Sequence, residues 1–103
     1  MLEEHHQVLN AITTHRPRGW AYDRRSAEHV CVSRGSVHVC IRGGASSYHA
    51  RVRHGGYLEV GEHAVDPLRA LQGALRAALA RCEWGAVGRL RALQTALATI
   101  NPG

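Results

Sequence analysis

Residues 28–42 read EHVCVSRGSVHVCIR, and their alternation around one glycine decides the fold. Valine recurs at 30, 32, 37 and 39 and isoleucine at 41, while His29, Cys31, His38, Cys40 and Arg42 fall between them. A period of two is that of a strand with one face buried. Two such runs separated by Arg34-Gly35 read as a β-hairpin. Folding about that pair sets Ser33 opposite Ser36, Val32 opposite Val37, Cys31 opposite His38, Val30 opposite Val39 and His29 opposite Cys40. One face is then apolar, and the other carries the chemistry.

The register propagates downstream. With Gly44-Ala45 as the next turn, Ile41 faces Tyr48, Val39 faces Ala50, His38 faces Arg51 and Val37 faces Val52. A three-residue His54-Gly55-Gly56 loop keeps the faces unmixed, pairing Val52 with Leu58, Arg51 with Glu59 and Ala50 with Val60. Upstream, Trp20 and Tyr22 flank Ala21 in a segment that leaves room for a brief strand at 20–23. The hydrophobic spacing of His5, Val8, Leu9 and Ile12 predicts a helix over 2–15, stopped by Pro17. Asp66-Pro67 starts another, as N-cap followed by proline at the first helical position. From there Leu68, Leu71, Leu75, Leu79, Cys82, Ala86, Leu90, Leu93, Leu97 and Ile100 recur at steps of three and four. One helix of about 34 residues would outrun the sheet, so a break around Glu83 to Gly88 is preferred. The expected fold is α+β, one domain over 1–103: a four-stranded antiparallel β-meander flanked by an N-terminal helix and a long or broken C-terminal helical segment packed on one face.

At 103 residues, 45% of them apolar, the chain supports one modest core. The net charge is +5, and all thirteen basic residues are arginine. Coding bias in a GC-rich genome accounts for the choice of arginine over lysine, so the charge counts and the residue type does not. A cationic surface suits polyanions, and eight histidines add charge on acidification. No stretch approaches the roughly 18 apolar residues of a membrane span, and no charged leader precedes an apolar run. These features predict a soluble cytoplasmic protein without membrane partners. Three cysteines, Cys31, Cys40 and Cys82, at no framework spacing predict reduced thiols. In the proposed register Cys31 and Cys40 are diagonal, about 7 Å or more apart, which disfavours a bridge.

The polar face supports several readings. As a nucleic-acid platform, single-stranded DNA or RNA preferred, it would use Arg42, Arg51 and Arg53 on phosphates and Tyr57 under unstacked bases, with His38 and His49 adding charge at lower pH. As a zinc site it would use His29, Cys31, His38 and Cys40, although these leave a flat face in parallel and lack a Cys-x2-Cys knuckle. As an enzyme it would use Cys31 as nucleophile and His38 as base, with Glu59 orienting the histidine through Arg51; nothing marks an oxyanion hole, a phosphate loop or a carboxylate pair. The expectation is a non-catalytic, cofactor-free binding protein for nucleic acid. The alternative is an assembly module acting through the helical stripe, with Leu90, Leu93 and Leu97 as its contact surface. Self-association as a homodimer is expected in both cases. Four strands followed by a helix resemble, in topology alone, dimeric single-strand DNA binders of the transcription-coactivator type, a likeness that transfers no residues.

Overall fold

A computed structural model describes residues 3–56, 58–81 and 84–100. Helix α1 (Glu3–His15) precedes strands β1 (Ala21–Ser26), β2 (His29–Arg34), β3 (Val37–Gly43), β4 (Tyr48–His54) and β5 (Leu58–Ala64), and helices α2 (Pro67–Arg81) and α3 (Trp84–Leu97) close the chain. The strands form one antiparallel sheet in the order β1-β2-β3-β4-β5. The expected meander therefore has a fifth strand, at its upstream edge. Its sequence, Ala-Tyr-Asp-Arg-Arg-Ser, gives little alternation because an edge strand buries little, and β1 is exposed along most of its length.

The hairpin register differs from the expected one by two residues throughout. Arg34 pairs with Val37, so the turn is Gly35-Ser36, with Gly35 supplying the positive φ of 60°. Gly43 pairs with Tyr48 around a four-residue loop closed by the Gly44 N–H donating to the Ser47 carbonyl at 2.8 Å. His54 pairs with Leu58, and the third turn begins at Gly55, which has a positive φ of 55°. A shift of two preserves which side each residue faces, so the apolar face survives intact while every cross-strand neighbour changes.

That apolar face, from Val30 and Val32 through Ile41, Ala50, Val52 and Val60, is buried under the helices. Helix α2 lies chiefly over β4 and β5, and α1 over β2; α3 folds back against α2 and α1. The start of α2 is capped as the sequence predicts: Asp66 Oδ1 accepts from the N–H groups of Leu68 at 2.8 Å and Arg69 at 3.1 Å. The C-terminal segment is two helices, α2 ending at Arg81 and α3 beginning at Trp84. The break corrects the expected assembly surface. Because α3 doubles back, Leu90, Leu93 and Leu97 are fully buried inside this chain's own core and offer nothing to a partner. Cys82, read as part of the same stripe, lies outside the described residues.

Arginines tie β1 to α1. Arg24 donates to Asn10 Oδ1 and to the carbonyls of Ser26 and Ala27, and Arg16 donates to the carbonyls of Trp20 and Thr13. Trp20, just ahead of β1, is buried in the core. No helix among the described residues is long and apolar enough to cross a membrane.

Candidate functional site

The sheet face away from the helices is open, and the register arranges it in three rows. The first runs Ser26, His29, Arg42, His49, His63; the second Asp23, Cys31, Cys40, Arg51, Gly61; the third Ala21, Ser33, His38, Arg53, Glu59. Alternation puts all of these side chains on one surface. Most of them, though not Ser26, Glu59, Gly61 or His63, line a shallow depression of about 670 Å³, whose walls carry Arg25, Arg42, Arg51 and Arg53 against the carboxylate of Asp23.

Five of the six residues expected to contact nucleic acid, Arg42, Arg51, Arg53, His38 and His49, lie on this face and border the depression. Tyr57, the sixth, falls outside the described residues. Tyr22 reaches the rim from the helix side of β1, with the Arg16 guanidinium 4.4 Å from its ring centroid. Arg25 and His63 were not anticipated. Arg25 sits on a strand too polar to stand out, and His63 belongs to a β5 longer than the loop position implied, though Glu59, Gly61 and His63 do continue the alternation.

At the floor, Cys31 and Cys40 are directly opposite one another, Cα atoms 4.0 Å apart, and form a disulfide. The expected free thiols are corrected accordingly: the two-residue shift turns a diagonal pair into a facing one, within bridging reach. The expected Cys31/His38 nucleophile and base are likewise not cross-strand partners, since His38 pairs with Ser33 and Arg53. The four-residue zinc set is also reduced: His29, Cys31 and Cys40 bring their ligand atoms within 4.8 Å of one another, without His38. His29 Nε2 lies 3.6 Å from Cys31 Sγ.

Charge on the face is graded by its neighbours. Burial, then the cations of Arg25 and Arg42, hold the His29 imidazole below the ordinary histidine pKa, with Asp23 opposing. Burial also leads the lowering of His49, followed by His63, Arg51 and Arg42. Two arginines are already engaged by carboxylates. Arg25 Nε meets Asp23 at 2.9 Å, and Arg51 meets Glu59 at 3.4 Å, a diagonal pairing that long side chains reach despite the changed register. Both pairs are solvated, so either arginine can exchange its partner at little cost.

Comparison with protein-family models, with curated proteins and with solved structures finds no match to this chain.

Proposed function

We propose that the open sheet face is a non-catalytic binding surface for single-stranded nucleic acid. The observation carrying this reading is the convergence of Arg25, Arg42, Arg51 and Arg53 on one depression that contains a single carboxylate among its described lining residues. A broad, shallow, cationic surface suits a polymer of phosphates. Three phosphate contacts from Arg42, Arg51 and Arg53 supply affinity without sequence reading. Histidine rings at 38 and 49 add planar surfaces. The same reading sets the protein in the cytoplasm. It leaves self-association to the sheet edges, because the leucines of α3 are spent in the core.

Fluorescence anisotropy with labelled single-stranded DNA and RNA of about ten nucleotides tests the proposal. Binding at low salt should weaken as salt rises, with a logarithmic slope near about −2 for three phosphates on a single strand. Arg42→Ala, Arg51→Ala and Arg53→Ala should each flatten that slope. Undetectable binding at low salt and pH 6, or binding unchanged in the triple variant, would sink it.

A further inference from the structure

The floor of the depression holds a second chemistry. Cys31 and Cys40 leave the same face from directly opposed positions on β2 and β3, and His29 leaves it two residues before Cys31 on the same strand. The three donor atoms, two sulfurs and an imidazole nitrogen, lie within 4.8 Å of one another. We propose that these three side chains form a reduction-gated zinc site, closed while Cys31 and Cys40 are joined and open to Zn²⁺ once the disulfide is reduced.

Geometry and charge both support this assignment. Zinc bonds of about 2.3 Å to sulfur and about 2.0–2.1 Å to nitrogen, at tetrahedral angles, separate neighbouring donor atoms by about 3.5–3.8 Å. The His29 Nε2 to Cys31 Sγ distance of 3.6 Å already meets that spacing. The two sulfurs need only part from bonded to non-bonded contact, which rotation about their Cα–Cβ bonds supplies while the strands stay paired. Soft thiolate and imidazole donors select zinc over calcium or magnesium. Two thiolates neutralise the ion amid the arginines, whereas a disulfide offers no anionic ligand; oxidation therefore closes the site. Asp23, facing Cys31 from β1, is engaged by Arg25 and stays outside the ligand set. The fourth position faces the depression, where water completes the tetrahedron.

The gating step requires a dithiol reductant. Its thiolate attacks Sγ of Cys40, the less buried residue of the pair, forming a mixed disulfide and expelling the Cys31 thiolate. The second thiol of the reductant then displaces Cys40, and the reductant leaves as its own cyclic disulfide. The protein gains two electrons and two protons as two thiols, and zinc binding releases those two protons. This site is independent of nucleic-acid binding, which uses the arginines around it.

The test uses full-length protein carrying Cys82→Ser, so that residues 31 and 40 hold its two cysteines. Half is kept oxidised; half is reduced with dithiothreitol and desalted without air. Each is titrated with Co²⁺, and then with Zn²⁺ against a chromogenic chelator. The reduced form should take one equivalent of Co²⁺ with sulfur-to-cobalt charge-transfer absorption and the intense visible bands of a tetrahedral site, and Zn²⁺ should displace it. His29→Ala should weaken binding on the order of tenfold or more, the loss that even outer-shell changes cause. A reduced form without charge-transfer bands, or equal uptake by oxidised and reduced protein, overturns the proposal. The oxidised-against-reduced comparison needs no substitution at the site, so a misfolded variant cannot obscure the result.

Discussion

His49 and His63 stack face to face across β4 and β5, with ring centroids 4.3 Å apart and planes 11° from parallel. The stack leans over Gly61, where an added Cβ would fall 2.7 Å from His49 Nε2. The missing side chain at 61 is what admits the ring. Gly61→Ala should therefore displace His49 and lower stability by about 1 kcal/mol. In a His49→Ala background the clash disappears, and the same substitution should stabilise by about 0.4–1 kcal/mol, through reduced freedom of the unfolded chain. Urea denaturation of the four proteins in the cycle checks this; additive effects would show that the glycine and the ring are uncoupled.

Acidification should cost stability before it unfolds the chain. His29 and His49 are held below the ordinary histidine value of 6.5, chiefly by burial. Between the lowered folded value and 6.5 the unfolded chain binds protons that the fold does not. Their contribution is thus full above pH 6.5 and lost as pH falls through the folded values. Thermal midpoints measured from pH 7.5 to 5 should fall, and the fall should be shallower in the His29→Gln, His49→Gln double variant. An equal slope in both proteins would assign the effect elsewhere.

What the sequence reveals and what it conceals follow from one property of strands. Alternation at Val30, Val32, Val37, Val39 and Ile41 sorts residues onto two faces, and that sorting is unchanged by a slip of two. The buried face and the membership of the open one were therefore legible, while the facing partners were not. Cys31 changed from a neighbour of His38 to a partner of Cys40 because the turn lies at Gly35-Ser36, one residue later than expected. Loop conformation carries that information, and several loop lengths satisfy the same pattern. Strand β1 was only half legible, since its Tyr22 and Arg24 face the helix side without an apolar signature. The helix starting at Pro67 was fully legible, because its cap is local chemistry.

Asp66→Ala removes the acceptor shared by the Leu68 and Arg69 amides. Loss of such a cap costs about 1 kcal/mol, within a range of about 0.5–2, while Asn keeps an oxygen in place. Chemical denaturation should therefore rank wild type and Asp66→Asn close together, with Asp66→Ala below both. Equal stability of all three would mean that water replaces the cap without loss.

Leu93→Ala opens a cavity where the side chain is completely enclosed, and should cost about 2–5 kcal/mol. Leu90→Asp with Leu93→Asp should go further and abolish cooperative unfolding, because buried carboxylates there have no partners to meet. Sedimentation and circular dichroism of the double variant separate this from an assembly role. A folded monomer with native helicity would mean that the leucines were a contact surface after all.

On the proposed reading, Glu59 competes with phosphate for Arg51. The pair, at 3.4 Å, is exposed on both sides, with side-chain accessibilities of 45% and 60%. Such pairs contribute about 0–1 kcal/mol to stability, so Glu59→Gln should leave the thermal midpoint nearly unchanged. It should nonetheless tighten single-strand binding at low salt, by releasing Arg51 and removing a negative charge beside Arg53, its cross-strand partner. The gain should shrink as salt rises, because screening weakens repulsion and attraction alike. Combined with Arg51→Ala, the substitution should keep only the smaller part of its effect that acts through Arg53. An affinity that is unchanged or reduced in Glu59→Gln would place the bound strand away from this end of the third row, and with it the contacts assigned to Arg51 and Arg53.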